Sequence, residues 1–186
     1  TEATDTTLTS HTGEIGATWT QHSSYSPNGA FTVNAADDSL AAAATDGFTS
    51  VYYASGTPAT AEYDIDFTVH KKTDRDSTGA AARIDTASDT MYFCRYNNSG
   101  GAWQLYKLVS GTATSLGSYA QTLTALQTYA VKMTITDAAK EVWVDGVLRI
   151  TSADNAVTAA GKGGVRAFGG YLPSTGHDRD NFVATD

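Results

Sequence analysis

A chain of 186 residues with one cysteine, a formal net charge of −8 and only 17 % charged residues suits a single domain with a sizeable core. The acidic balance argues against a nucleic-acid partner, which calls for a basic face, whereas the longest basic cluster here is Lys71-Lys72. No segment reads as a membrane-inserted helix, since the longest apolar run, Leu40–Ala44, is far short of the roughly 20 residues a bilayer span requires.

Residues 1–16, polar, Thr-rich and poorly periodic, read as an N-terminal arm or first strand that orders on a partner, and residues 17–186 as one domain. Strands are expected at 30–34 and 48–53, with the Ala/Thr-rich 35–47 as a loop between them. From Glu62 to Val69 the alternation is strict: Tyr63, Ile65, Phe67 and Val69 share one face, and Glu62, Asp64, Asp66 and Thr68 the other. Further strands are expected at 79–85 and 90–96; Cys94 in the latter reads as a small buried hydrophobe. After the turn "NNSGG" at 97–101 come strands at 102–109 and 113–119. The period of two returns at 128–136 and in 140–144, joined by Asp137-Ala138-Ala139. Asp145-Gly146 then marks a type I′ hairpin turn, because both central residues of that turn need positive φ. Strands at 147–151, 163–168 and 180–184 close the list, and one helical turn is expected near 123–127 or 153–159.

About a dozen short strands at roughly 8–12-residue spacing indicate an all-β antiparallel sandwich of two curved sheets or a barrel, with the closing strand beside the opening one. The order "TLTSH…GATW" (7–19), "VYYASGTPATAEYDI" (51–65), "YFCRYNNSGGAWQLYKLVSG" (92–111), "LGSYAQTLTALQTYAVKM" (116–133), "VWVDGVLRI" (142–150), "GKGGVRA" (161–167) and "RDNFVA" (179–184) resembles the laminin-G-like members of the concanavalin A-like lectin/glucanase superfamily, over nearly the whole chain. The resemblance implies a jelly roll. That superfamily includes glycan-binding modules, adhesion domains and surface proteins of bacteria and bacteriophages, so the resemblance implies a fold more strongly than an activity.

Glu62-x-Asp64-x-Asp66 is similar to the Glu-x-Asp-x-Glu strand of glucanases in this superfamily, but its third carboxylate is the shorter Asp66, and the competing reading is a solvated strand face. The four histidines, at 11, 22, 70 and 177, are scattered, and no Gly-x-Ser-x-Gly elbow or transition-metal spacing exists. Near the C-terminus, Asp178 and Asp180 offer oxygen ligands for a structural Ca²⁺ of the kind many superfamily members carry. Trp19, Trp143, Phe31, Phe67, Phe168 and Phe182 are expected in the core. "RYNNSGGAWQLYK" mixes Arg95, Tyr96, Trp103, Gln104 and Tyr106 around a Gly-rich turn. It reads either as a sugar groove, with an aromatic platform flanked by amide and Arg partners, or as a salt-bridged surface with Trp103 inside. Arg83 and Arg95 are expected on the same face as Asp64 and Asp66. Met91, Phe93 and Arg95 share one side of their strand unless a bulge intervenes.

The expected function is a non-catalytic surface module that binds cell-surface or environmental glycans through its concave sheet. Numbering from Thr1 fits a processed secreted domain or loss of a Met. With no tether or catalytic partner in view the chain reads as a stand-alone gene product, an exterior phage-virion decoration or adhesion protein held by capsid or other particle proteins, with an extracellular lectin as the first alternative and a glucanase or lyase as the second.

Overall fold

Strand follows strand wherever apolar and polar residues alternate. The computed structural model describes residues 6–11, 17–25, 30–33, 40–42, 49–71, 77–168 and 178–185. Among them lie fifteen strands, and no α-helix. The first half holds β1 (Thr6–Thr7), β2 (Trp19–Gln21), β3 (Phe31–Val33), β4 (Leu40–Ala42), β5 (Thr49–Ala54), β6 (Tyr63–His70), β7 (Ser77–Asp85) and β8 (Thr90–Asn97). The second half holds β9 (Ala102–Val109), β10 (Thr112–Ala120), β11 (Thr128–Ile135), β12 (Lys140–Val144), β13 (Val147–Ser152), β14 (Lys162–Phe168) and β15 (Asp178–Thr185). Short 3₁₀ turns occupy Leu8–Ser10 and Ser23–Tyr25.

Two antiparallel sheets result. One runs β1-β3-β4-β15-β6-β11-β12-β13, the other β10-β9-β8-β7-β14-β5-β2. The Asp145-Gly146 turn joins β12 to β13 with φ of 50° and 75°, the positive pair that a type I′ turn demands. Ser110-Gly111, with φ of 47° and 80°, makes the corresponding turn between β9 and β10. The last strand lies between β4 and β6 rather than beside β1, so the Greek-key expectation of adjacent ends does not hold. Leu40–Ala42, expected within a loop, is a strand paired with Phe31–Val33. Its run of small residues shows no alternation, and its pairing comes from its neighbours rather than from local propensity.

The inner faces meet in a core where Ile65, Met133 and Ile135 of the first sheet oppose Ala80, Cys94 and Leu105 of the second. Each large apolar side chain so buried contributes roughly 1.5–3 kcal/mol before entropy is counted. Cys94 belongs to this core, and burial pushes its thiol up to about 12, which makes it inert. In a second cluster Leu8 packs with Phe31, Val33 and Tyr52 while Thr6 and Thr7 pair with β3, so residues 6–8 are part of the sandwich. Among the described residues no helix is long and apolar enough to cross a membrane.

Candidate functional site

The outer face of the seven-stranded sheet carries the grouping with most chemical content. β8 and β9 pair without a bulge, setting Phe93 opposite Tyr106 and Arg95 opposite Gln104. Even positions of β8 enter the core between the sheets, so the odd ones lie on the other side of the sheet, where Met91 and Phe93 are buried in a smaller apolar cluster with Val51, Ala81, Ile84 and Leu108 and Arg95 is half-buried. Arg95 Nε donates to Gln104 Oε1 at 2.9 Å, and its guanidinium carbon lies 5.1 Å from the Tyr106 ring centroid. Tyr106 in turn stacks on Phe93 with centroids 5.1 Å apart and planes at 8°. From β14, Arg166 sets its guanidinium 4.0 Å from the Phe93 ring. Each contact contributes roughly 0.5–1.5 kcal/mol, enough to hold the arginines in place.

Between them runs β7, whose residues on this side, Gly79 and Ala81, are small up to the bulge that brings in Ile84. A Cβ at Gly79 would sit 2.0 Å from the carbonyl oxygen of Cys94, so only glycine allows β7 to approach β8 this closely. Further along the same face, Tyr25 donates to Asp89 Oδ1 at 2.5 Å. Burial, then Asp89, raises the Tyr25 phenol well above its ordinary value, against the opposing field of Arg166, so it stays neutral. The His22 ring is buried beside it: Nε2 donates to the Asp85 carbonyl at 2.8 Å, and Nδ1 accepts from the Ser24 amide at 3.2 Å. Both ring nitrogens are thereby committed to holding the Ser23–Tyr25 turn.

Of the residues expected in the site, Arg95, Gln104 and Tyr106 are brought together here; the others are not. Tyr96 and Trp103 are core residues, 1 % and 0 % exposed. The Tyr96 hydroxyl donates to the Gln121 carbonyl at 3.0 Å and Trp103 Nε1 to Gln121 Oε1 at 2.8 Å. The reason is parity, because both lie on the inward-facing register of their strands, whose two faces the sequence segment mixes. Arg83 is also buried, at 1 %. A one-residue bulge between Ala82 and Asp85 puts Arg83 at φ 50°, and Ile84 takes the outward place. Its fork is spent on the Ala61 carbonyl (2.8 Å), the Val157 carbonyl (2.7 Å) and Asp137 Oδ1 (2.9 Å).

Asp64 and Asp66 lie on the opposite surface of the molecule, the outer face of the eight-stranded sheet. Asp64 pairs with Lys132 at 3.3 Å, Lys132 Nζ stands 5.4 Å from the Trp143 ring, and Trp143 Nε1 donates to Glu141 Oε2 at 3.0 Å. Trp143 is therefore outward and half-buried, not core, because Val142 and Val144 take the inward register. Phe168 is likewise exposed, at 40 %, whereas Phe31 and Phe67 are buried as expected and Trp19 partly so. Glu62 accepts the Asp137 amide at 2.7 Å. Asp178 and Asp180 fall in β15 opposite His70 and Thr68, but their side chains, with those of Phe182 and all of His177, lie outside the described residues. Among the described residues no group of three or more His, Cys, Asp or Glu is placed to hold a metal ion.

Where β7 meets the β11–β12 turn and the segment after β13, a second polar cluster is internal. Lys107 binds Asp154 at 2.5 Å, Tyr92 donates to Asp154 Oδ1 at 2.8 Å, and buried Lys140 donates to the Thr136 carbonyl at 2.5 Å. Burial, with Arg83 nearby, lowers the Lys140 amine; burial, with Asp154, raises the Tyr92 phenol to about 12. Burial would raise the Asp154 carboxyl, but bonds from Lys107, the Ala156 amide and Tyr92 outweigh it and hold the group below its ordinary value. Sequence reasoning set Phe93 on the side of Arg95 without giving it a role, and it missed Gly79 and Arg166 as parts of this face. The all-small run "GAAA" at 79–82 was the available signal.

No protein-family model and no curated protein sequence matches this chain. Solved structures do. The carbohydrate-binding module CBM66 from Bacillus subtilis superposes with a TM-score of 0.71 at 14 % identity, over 90 % of this chain and 95 % of that one. A β-1,3-1,4-glucanase (lichenase) derived from a mouse hindgut metagenome gives 0.63 at 11 % identity, over 98 % and 97 %. The Caenorhabditis elegans galectin LEC-6 gives 0.54 at 10 %, over 73 % and 96 %. The chain thus has the galectin-like, concanavalin A-like β-sandwich fold. At these identities the likeness is one of fold.

Proposed function

We propose that the domain is a non-catalytic glycan-binding module that works through the outer face of the seven-stranded sheet. The observation that carries this reading is the Arg95–Gln104–Tyr106 group, an aromatic side chain with a guanidinium and an amide held in register on two adjacent strands. A sugar presents an apolar ring face and polar substituents around its rim, and such a trio offers an aromatic side chain to the one and hydrogen-bond donors to the other. The likeness to a carbohydrate-binding module and to a galectin supports the same reading. Affinity electrophoresis through a panel of neutral and charged polysaccharides tests it. Retardation by at least one polymer, lost in Tyr106→Ala, is expected; a protein retarded by none, or a variant that behaves as wild type, overturns it.

The glucanase neighbour keeps an enzyme reading in view. The engagement of Glu62 with a backbone amide and of Asp64 with Lys132 supports the non-catalytic one. Incubation with β-glucans is expected to release no reducing ends, and turnover abolished by Glu62→Gln would reverse this assignment. The proposed setting is the exterior of a phage particle, where many copies turn a weak site into firm attachment. Co-sedimentation with particles tests that setting, and its absence favours a secreted lectin.

A further inference from the structure

We infer that this face takes a carboxylate-bearing sugar rather than a neutral one, an inference that rests on the glycan-binding reading above. Arg95 Nε–H is used by Gln104 Oε1, which leaves the four N–H bonds of its two terminal nitrogens without a hydrogen bond or ion pair among the described residues. Because the amide oxygen of Gln104 faces Arg95, its NH₂ group points away with two more donors. The Tyr106 hydroxyl adds another donor, and no hydrogen bond within the described residues engages it. The neighbouring side chains therefore offer many donors and few acceptors.

A neutral sugar is a poor match for such a surface. Each hydroxyl both donates and accepts, and sites that read hydroxyls need carboxylates or carbonyls to take their protons. A carboxylate is acceptor-only, with two oxygens whose spacing fits the guanidinium fork. Arg95 is also pre-positioned: Gln104 tethers its Nε and the Tyr106 ring supports its plane, so little rotamer freedom remains to be lost on binding. The contrast with other cations is direct. Arg83 spends all three nitrogens inside the fold, while Lys107 and Lys132 each hold an aspartate. The net charge of −8 does not forbid an anionic ligand, because at physiological salt charges are screened over about 8 Å and the groups at the contact dominate.

The test uses the full chain with four probes: polygalacturonate, the same polymer fully methyl-esterified, sialyllactose, and dextran sulfate. Binding to polygalacturonate or sialyllactose is expected, the pair distinguishing an internal uronic acid from a terminal acidic sugar. Esterification is expected to weaken polymer binding at least tenfold. Arg95→Gln is expected to do the same in a protein that still melts in one cooperative transition, as is Gln104→Glu, which supplies an internal carboxylate to the fork. Equal binding of free and esterified polymer, or dextran sulfate binding as tightly as the carboxylates, overturns the inference while leaving glycan binding intact. Retardation by neutral polysaccharides alone does the same. A protein that binds no saccharide, charged or neutral, removes both readings together.

Discussion

The two outer faces of this sandwich are built from similar residue types and end in opposite states. On the eight-stranded sheet, Asp64, Lys132, Trp143 and Glu141 satisfy one another. On the seven-stranded sheet, Arg95 meets an amide and a ring, and most of its donors are left for something else. A charged side chain beside an aromatic one is therefore no mark of function by itself. What separates the faces is whether the charges are neutralised within the sheet.

That contrast depends first on a side chain that serves neither face. Arg83→Ala removes the donors to the Ala61 and Val157 carbonyls and is expected to cost about 3 kcal/mol, since a buried acceptor left alone costs about 1–3 kcal/mol. Urea unfolding should show a lower midpoint with an unchanged slope; a wild-type midpoint would mean that the buried fork contributes nothing.

Next in size is the floor of the seven-stranded face. Gly79→Val forces a Cβ against the Cys94 carbonyl and is expected to cost about 1–3 kcal/mol. Ala130→Val, on the exposed side of β11, should stay within about 0.5 kcal/mol. Equal losses from the two in thermal melts would erase the difference in backbone approach between the faces.

Acid sharpens the comparison through the internal cluster. The Asp154 carboxyl is lowered in the folded chain from its ordinary 3.8, so its contribution to stability is complete above that value and is lost as pH falls through the folded-state value. Denaturant midpoints measured down the acid limb should therefore flatten in Asp154→Asn relative to wild type. The smallest effects belong to the eight-stranded face: Asp64→Asn breaks a pair whose side chains are 32 % and 38 % exposed, and surface pairs contribute about 0–1 kcal/mol. Trp143→Ala should leave polysaccharide retardation unchanged where Tyr106→Ala removes it. A loss of binding in Trp143→Ala would move the site to the other side of the molecule.

Much of the architecture was legible along the chain. Tyr63, Ile65, Phe67 and Val69 alternate with polar residues and form the inward row of β6, and Asp145-Gly146 turns as its φ preferences require. These are local consequences of side-chain volume and backbone sterics, and a linear sequence carries them in full. The site was half legible. Arg95, Gln104 and Tyr106 stood out as a group, but Tyr96 and Trp103 came with them because a turn separates two strands whose faces must be tracked separately.

Only the tertiary structure decided where those faces point. Period two tells which residues of one strand share a side, and nothing in it says which sheet that strand joins or whether the side meets core or water. Asp64 and Arg95 are both outward, yet the whole sandwich lies between them, because β6 and β8 belong to different sheets. Arg83 shows the sharper limit. One extra residue reverses strand parity, and the bulge that supplies it exists because Tyr63, Ala61, Val157 and Asp137 converge from distant parts of the chain to receive the backbone and the guanidinium.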